Sequence, residues 1–71
     1  MRNVSETPLE MEERHIAQFE ALITKQELLL IELERDGRVE AGERARQIIA
    51  ETQKFLRFAW KRHSQLVRAK L

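Results

Sequence analysis

The sequence has no cysteine, a single proline, two glycines and two histidines among its 71 residues. Without cysteine, disulfide bonds are excluded, and two histidines supply too few of the usual ligands for a structural zinc ion. The longest uninterrupted apolar run covers residues 28–31, far short of the roughly 20 residues that span a bilayer. We therefore expect a cytoplasmic protein with no secretory signal and no membrane span.

The chain is also short. Its 71 residues form one domain at most, and a domain of this size buries too little apolar surface for a comfortable margin of stability. Because disulfides and a zinc site are excluded, self-association is the remaining source of extra stability. The sequence therefore predicts that the protein binds a second copy of itself.

Glycine and proline are scarce while Glu, Leu, Arg, Ala, Lys and Gln dominate, which is typical of long helices. Thr7-Pro8-Leu9-Glu10 combines a capping threonine, a proline that suits the first helical position and a glutamate that can reach back to the cap. Gly37 can adopt the left-handed conformation that closes a helix. We expect one all-α domain, an antiparallel two-helix hairpin with a flexible segment 1–7, a helix 8–36, a turn 37–38 and a helix 39–70.

Apolar residues recur at helical spacing in both segments and predict how the two helices pair. Folding the chain at the turn places Phe19 opposite Ala59, Ile23 opposite Leu56, Gln26 opposite Thr52, Leu30 opposite Ile49 and Leu33 opposite Ala45. Large residues then face small ones in two layers, which supports close packing. The sequence further predicts that Gln26 and Thr52 form a buried hydrogen-bonded layer that fixes the register.

Several apolar residues lie outside the inner faces of this hairpin or on their flanks and edges. Because so many on a small body usually mark an interface, we expect two hairpins to pack as a homodimeric four-helix bundle. Another protein is a further candidate partner for the same residues. The predicted interface residues are Leu22, Leu28, Leu29, Ile31, Phe58 and Trp60.

Charge is distributed unevenly along the chain. Residues 1–36 hold nine acids and four bases, whereas residues 52–71 hold six bases and no acid. In an antiparallel hairpin the acidic start of helix one (Glu10, Glu12, Glu13) lies beside the basic end of helix two, so mutual pairing is the first explanation. The alternative is a small RNA- or DNA-binding protein whose second helix contacts phosphates through Lys54, Arg57, Lys61, Arg62 and Arg68, with Phe58 stacking on a base.

Catalytic and metal-binding patterns are weak. Glu12-x-x-His15 has the spacing of di-iron bundles, and His63 would lie in the same layer as His15, but helix two carries no carboxylate after Glu51. No glycine-rich elbow or phosphate loop accompanies Ser5 or Ser64. Helix two is basic and amphipathic, as interfacial helices are, yet its apolar face has a partner in helix one. We expect no catalytic residues, no metal, no cofactor and no membrane contact.

Arg14-His15-Ile16-Ala17, followed by Leu33-Glu34-Arg35-Asp36-Gly37 and by Ile48-Ile49, resembles a group of short uncharacterised bacterial proteins. That resemblance implies a helical hairpin and no known activity. Those proteins tend to have Asp-Thr after the turn, where this chain has Val39-Glu40. By architecture the chain is also similar to Rop-type hairpins, which dimerise into four-helix bundles and bind paired RNA loops. The leading prediction is a non-enzymatic interaction module that homodimerises.

Overall fold

The structure, a computed structural model, describes residues 5–70. Helix α1 covers Pro8–Arg35 and helix α2 covers Val39–Lys70, and no strand occurs in these residues. The two helices pack against each other along their length. The all-α two-helix fold expected from the sequence is confirmed, with Asp36 as the C-cap of α1 where the prediction placed the last helical residue.

The start of α1 is held by the capping box that the sequence predicts. The Thr7 hydroxyl accepts a hydrogen bond from the Glu10 backbone N–H at 3.1 Å, and the Glu10 carboxylate accepts one from the Thr7 backbone N–H at 3.0 Å. Pro8 follows the cap, where its missing N–H leaves no bond unmade. Local sequence alone therefore explains where this helix begins.

An ion pair lies just before this cap. The Arg14 guanidinium donates two hydrogen bonds to the Glu6 carboxylate, at 2.8 and 3.0 Å. These bonds lower the pKa of Glu6 and raise the pKa of Arg14 from their ordinary values. Of the segment predicted to be flexible, residues 1–4 lie outside the described residues, while Glu6 and Thr7 both contact α1.

The turn between the helices closes α1 with a complete Schellman motif. The Arg38 N–H donates to the Leu33 carbonyl at 2.9 Å, and the Gly37 N–H donates to the Glu34 carbonyl at 3.1 Å. Gly37 has φ of 72°, a conformation that costs residues with a Cβ about 1–2 kcal/mol. A turn this short can join two helices that lie side by side in an antiparallel arrangement.

Ion pairs at both ends of the hairpin show that arrangement. Glu34 pairs with Arg46 next to the turn. At the open end, Glu12 Oε2 lies 3.1 Å from Arg62 Nε, and Glu13 Oε2 lies 3.3 Å from His63 Nε2. The predicted contact between the acidic start of α1 and the basic end of α2 is therefore present.

The core between the helices is thin. Among residues 5–70, only Ile16, Ala45 and Ala59 are buried apolar residues, and Glu12 and Thr52 are buried polar ones. Small residues let the helix backbones approach closely, as at Gly42, where an added Cβ would lie 3.6 Å from Leu30 Cδ1. The Cα positions extend over 50 × 31 × 13 Å, which is the shape of a single layer of helices. Folded domains normally bury their apolar faces between two layers, so one layer leaves such a face uncovered.

Candidate interaction surfaces

One broad side of the hairpin is an open groove between the helices. Gln26, Leu29 and Leu33 line it from α1, and Ala41, Ala45 and Ile48 line it from α2, with Arg38 and Arg44 at the turn end. Two apolar rows continue this groove away from the turn, because Leu22 precedes Leu29 by seven residues and Phe55 follows Ile48 by seven. We call this surface the groove face: Gln26, Leu29, Leu33, Ala41, Ala45 and Ile48, together with Leu22 and Phe55.

Large apolar side chains on the groove face are accessible to solvent. The exposed fractions are 39% for Leu22, 41% for Leu29 and 57% for Phe55. The Phe55 ring stacks on Phe19 with centroids 6.0 Å apart and planes inclined by 27°, so only one side of it is covered. The predicted pairing placed Phe19 opposite Ala59. In the structure its aromatic contact is with Phe55, one helical turn before Ala59.

A polar atom lies at the floor of this face without a partner. Gln26 Oε1 is buried and accepts no hydrogen bond in the described part of the chain. The predicted bond between Gln26 and Thr52 is wrong, because the Thr52 hydroxyl donates to the Ile48 carbonyl oxygen of its own helix at 2.7 Å. A threonine in a helix makes this local bond readily, so its hydroxyl is already engaged. Leaving a buried carbonyl unpaired costs about 1–3 kcal/mol.

On the opposite broad side of the hairpin, α1 carries a row of acidic residues. Along α1, Glu13, Glu20, Glu27 and Glu34 recur every seven residues and therefore share one row. This row lies beyond the core on the side of the Glu34–Arg46 ion pair. The α1 half of this side is therefore more charged than the groove face.

The six predicted interface residues do not form one surface. Leu22 and Leu29 lie on the groove face, and Phe58 lies about 60° farther round α2 than Phe55, at its outer edge. Leu28 is about 100° and Ile31 about 160° round α1 from Leu29, and Trp60 is about 140° round α2 from Phe55. The prediction also missed Gln26, Ile48 and Phe55. The matching rows Leu22–Leu29 and Ile48–Phe55 are the signal in the sequence that would have found them.

A basic patch covers the outer side of α2. Lys54, Arg57 and Lys61 surround Phe58, which is 66% exposed, and form a shallow hollow around its ring. Within residues 5–70, no carboxylate lies within ion-pair distance of these three cations. Arg68 is exposed one heptad beyond Lys61. Arg62 is different, because it pairs with Glu12 inside the hairpin. We call Lys54, Arg57, Phe58 and Lys61 the basic patch.

The open end of the hairpin carries a polar cluster. The Glu12 carboxylate is buried beside Arg62, and His15 Nδ1 lies 3.9 Å from its Oε1 atom. His63 contacts Glu13 and meets the edge of Trp60 at a centroid distance of 5.4 Å. The two histidines thus contact different carboxylates. No group of three possible metal ligands converges here or elsewhere in the described residues.

Across the described residues, neither helix combines the length and apolar character needed to cross a membrane.

Comparisons with known proteins add no relative to these observations. No protein-family model matches the chain, and neither the curated proteins nor the solved structures with which it was compared give a match.

Proposed function

We propose that this chain is a non-enzymatic protein–protein interaction module that acts as a homodimer, two hairpins packing as a four-helix bundle. The observation that carries the proposal is an apolar groove face on one side of a hairpin only one helix layer thick. The side chains lining the groove are apolar, amide or arginine, and include no nucleophile or general base. Such a surface suits binding to another apolar surface.

The exposed area supports the same proposal. The chain exposes 5741 Å², whereas a compact folded chain of 8.5 kDa exposes about 4,700 Å². The excess of roughly 1,000 Å² is similar to the 800 Å² that each partner buries in a standard protein–protein interface. A second hairpin on the groove face would supply the missing layer.

Sedimentation equilibrium over a wide concentration range, at low and high salt, tests this function. We expect a species of twice the 8.5 kDa chain mass at micromolar concentration, since the area each copy would bury is typical of stable protein–protein interfaces. The dimer should persist at high salt because the groove face is apolar rather than charged. A chain that stays monomeric up to millimolar concentration would refute the homodimer.

The basic patch favours a second candidate function, binding of RNA or DNA. Its three unpaired cations surround an exposed aromatic ring, an arrangement suited to phosphates with a stacked base. The cations and the ring lie together on the outer side of α2. A dimer built on the groove face would leave most of this side in solvent.

Titration with a structured RNA tests the second candidate, with the single Trp60 as a fluorescent probe. We expect affinity to fall as salt rises, because each phosphate contact releases counterions. A double variant Arg57→Glu with Lys61→Glu should abolish binding, while Lys25→Glu on α1 serves as the charge-changing control. Binding that is insensitive to salt, or equal in the double variant, would eliminate this candidate.

A further inference from the structure

We propose that the second copy docks on the groove face about a two-fold axis at Gln26, where the two Gln26 side-chain amides hydrogen-bond to each other. This inference rests on the homodimer proposed above and specifies its geometry. The side of α1 that carries the glutamate row and Ile31, and the outer surface that carries Leu28, remain in solvent. An isologous interface brings each residue near the axis against its own copy, so Gln26 is placed to meet Gln26.

The unpartnered Gln26 Oε1 is the first observation behind this axis. It is buried within a single hairpin, where no side chain of the described residues donates to it, so the Gln26 amide must rotate toward the groove to pair with a second copy. A primary amide has both an acceptor oxygen and a donor nitrogen, so two copies related by a two-fold axis satisfy each other. This self-complementary chemistry, together with the proposed homodimer, favours a second copy of this chain as the occupant.

The apolar rows give a second, independent observation. On α1, Phe19 and Leu33 lie seven residues before and seven residues after Gln26, and Leu22 and Leu29 lie between them and Gln26 on either side. The apolar stretch is therefore centred on the one polar residue in it. A two-fold axis at that centre superimposes the apolar stretch of one copy on that of the other.

The polar open end fits the same axis. Gly37 lies eleven residues beyond Gln26, so an antiparallel partner reaches about 16 Å along α1, to the level of His15. The Glu12–Arg62 ion pair, one turn farther out, then lies beyond the end of the partner. The partner covers the apolar stretch and leaves this charged pair in solvent.

Adjacent leucines provide a matched test of the docking face. Leu28 and Leu29 are both exposed on α1, but only Leu29 lies on the groove face. Leu29→Lys places a charge in the interface twice, once from each copy. A loss of affinity of about tenfold for each charge raises the dimer dissociation constant about a hundredfold. Leu28→Lys should leave the constant within about threefold of the wild type, since the change stays in solvent.

Sedimentation of both variants, with helicity checked by circular dichroism, separates the possible failures. If the unmodified chain is monomeric, the proposed function fails. If it dimerises and Leu29→Lys does so equally well, or Leu28→Lys is just as disruptive, the groove face is not the interface although the homodimer stands.

Charge exchange at Gln26 tests the axis itself. Gln26→Glu and Gln26→Lys should each weaken self-association by at least about a hundredfold, because like charges then meet across the two-fold axis. An equimolar mixture of the two variants should recover a dimer, since a carboxylate then faces an ammonium group across the axis. Gln26→Leu is the uncharged control and should still dimerise. Two charged variants that stay monomeric when mixed, while Gln26→Leu dimerises, would overturn the axis at Gln26.

Discussion

Alanine substitution at the two glycines should change stability in opposite directions. Gly42 is buried in the first turns of α2, and a Cβ there would lie 3.6 Å from Leu30 Cδ1, an ordinary van der Waals distance. The methyl group therefore fits without displacing α1. Glycine inside a helix costs about 1 kcal/mol relative to alanine, and somewhat less near an end. We expect Gly42→Ala to raise the free energy of unfolding by about 0.5–1 kcal/mol.

Gly37 has open space around it but the wrong backbone for alanine. No atom lies within 4 Å of a Cβ added there, so packing does not oppose the change. Its φ of 72° opposes the change, because alanine in this conformation costs about 1–2 kcal/mol. About 0.4–1 kcal/mol of this cost is offset, because alanine lowers the conformational entropy of the unfolded chain. We expect Gly37→Ala to lower the free energy of unfolding by about 1 kcal/mol. Gly37→Asn should lose less, because asparagine tolerates this conformation.

Urea and thermal denaturation followed by circular dichroism measure both effects. A change of about 1 kcal/mol shifts the Tm of a domain of this size by about 4–8 °C. All variants must be compared at one protein concentration, since the stability of a dimer depends on it. A lower Tm for Gly42→Ala would show that the helices approach more closely at Leu30 than the structure has them. An unchanged Tm for Gly37→Ala would refute the argument from backbone conformation.

The N-terminal end of α1 gives further predictions. Arg62→Ala removes the partner of the buried Glu12 carboxylate and should lower the free energy of unfolding by about 1–3 kcal/mol, measured by urea denaturation. Adding Glu12→Gln should restore part of the loss; a loss below about 0.5 kcal/mol would mean that water replaces the guanidinium. Because the folded pKa of Glu6 lies below its unfolded value, its pairing with Arg14 stabilises the fold at neutral pH and is lost as pH falls through that lowered pKa. An NMR titration of the Glu6 carboxyl should show the low pKa, and Arg14→Gln should return it to the ordinary value; an unchanged titration would contradict the contact.

Which interface residues share a surface was only partly predictable from the sequence. The pattern places Leu22 and Leu29 on the flank of the inner face of helix one and Leu28 and Ile31 outside that face, but it groups all four in one predicted interface. The structure separates them, because the groove lies on the side of Leu29 and a row of glutamates lies on the other side. The rotation of α1 against α2 decides this, and that rotation depends on how closely the small residues of α2 let the backbones approach.

The polar layer shows the same limit at the level of one hydrogen bond. Spacing alone places Gln26 and Thr52 in facing positions, and both are indeed on the inner side of the hairpin. Spacing cannot decide whether the Thr52 hydroxyl turns to the amide across the core or to the carbonyl one turn back. The local carbonyl is the acceptor in the structure, so Gln26 Oε1 is left unpartnered.

The sequence by itself determined where α1 begins and ends. The capping box at Thr7 and the left-handed Gly37 act through hydrogen bonds and dihedral preferences that span a few residues, so nothing distant is needed to form them. Only the tertiary structure decided that Glu12 is buried beside Arg62, fifty residues away, and that the apolar side of the hairpin is the groove face. Those outcomes depend on the register and rotation of two packed helices, which are set by many side-chain contacts acting together.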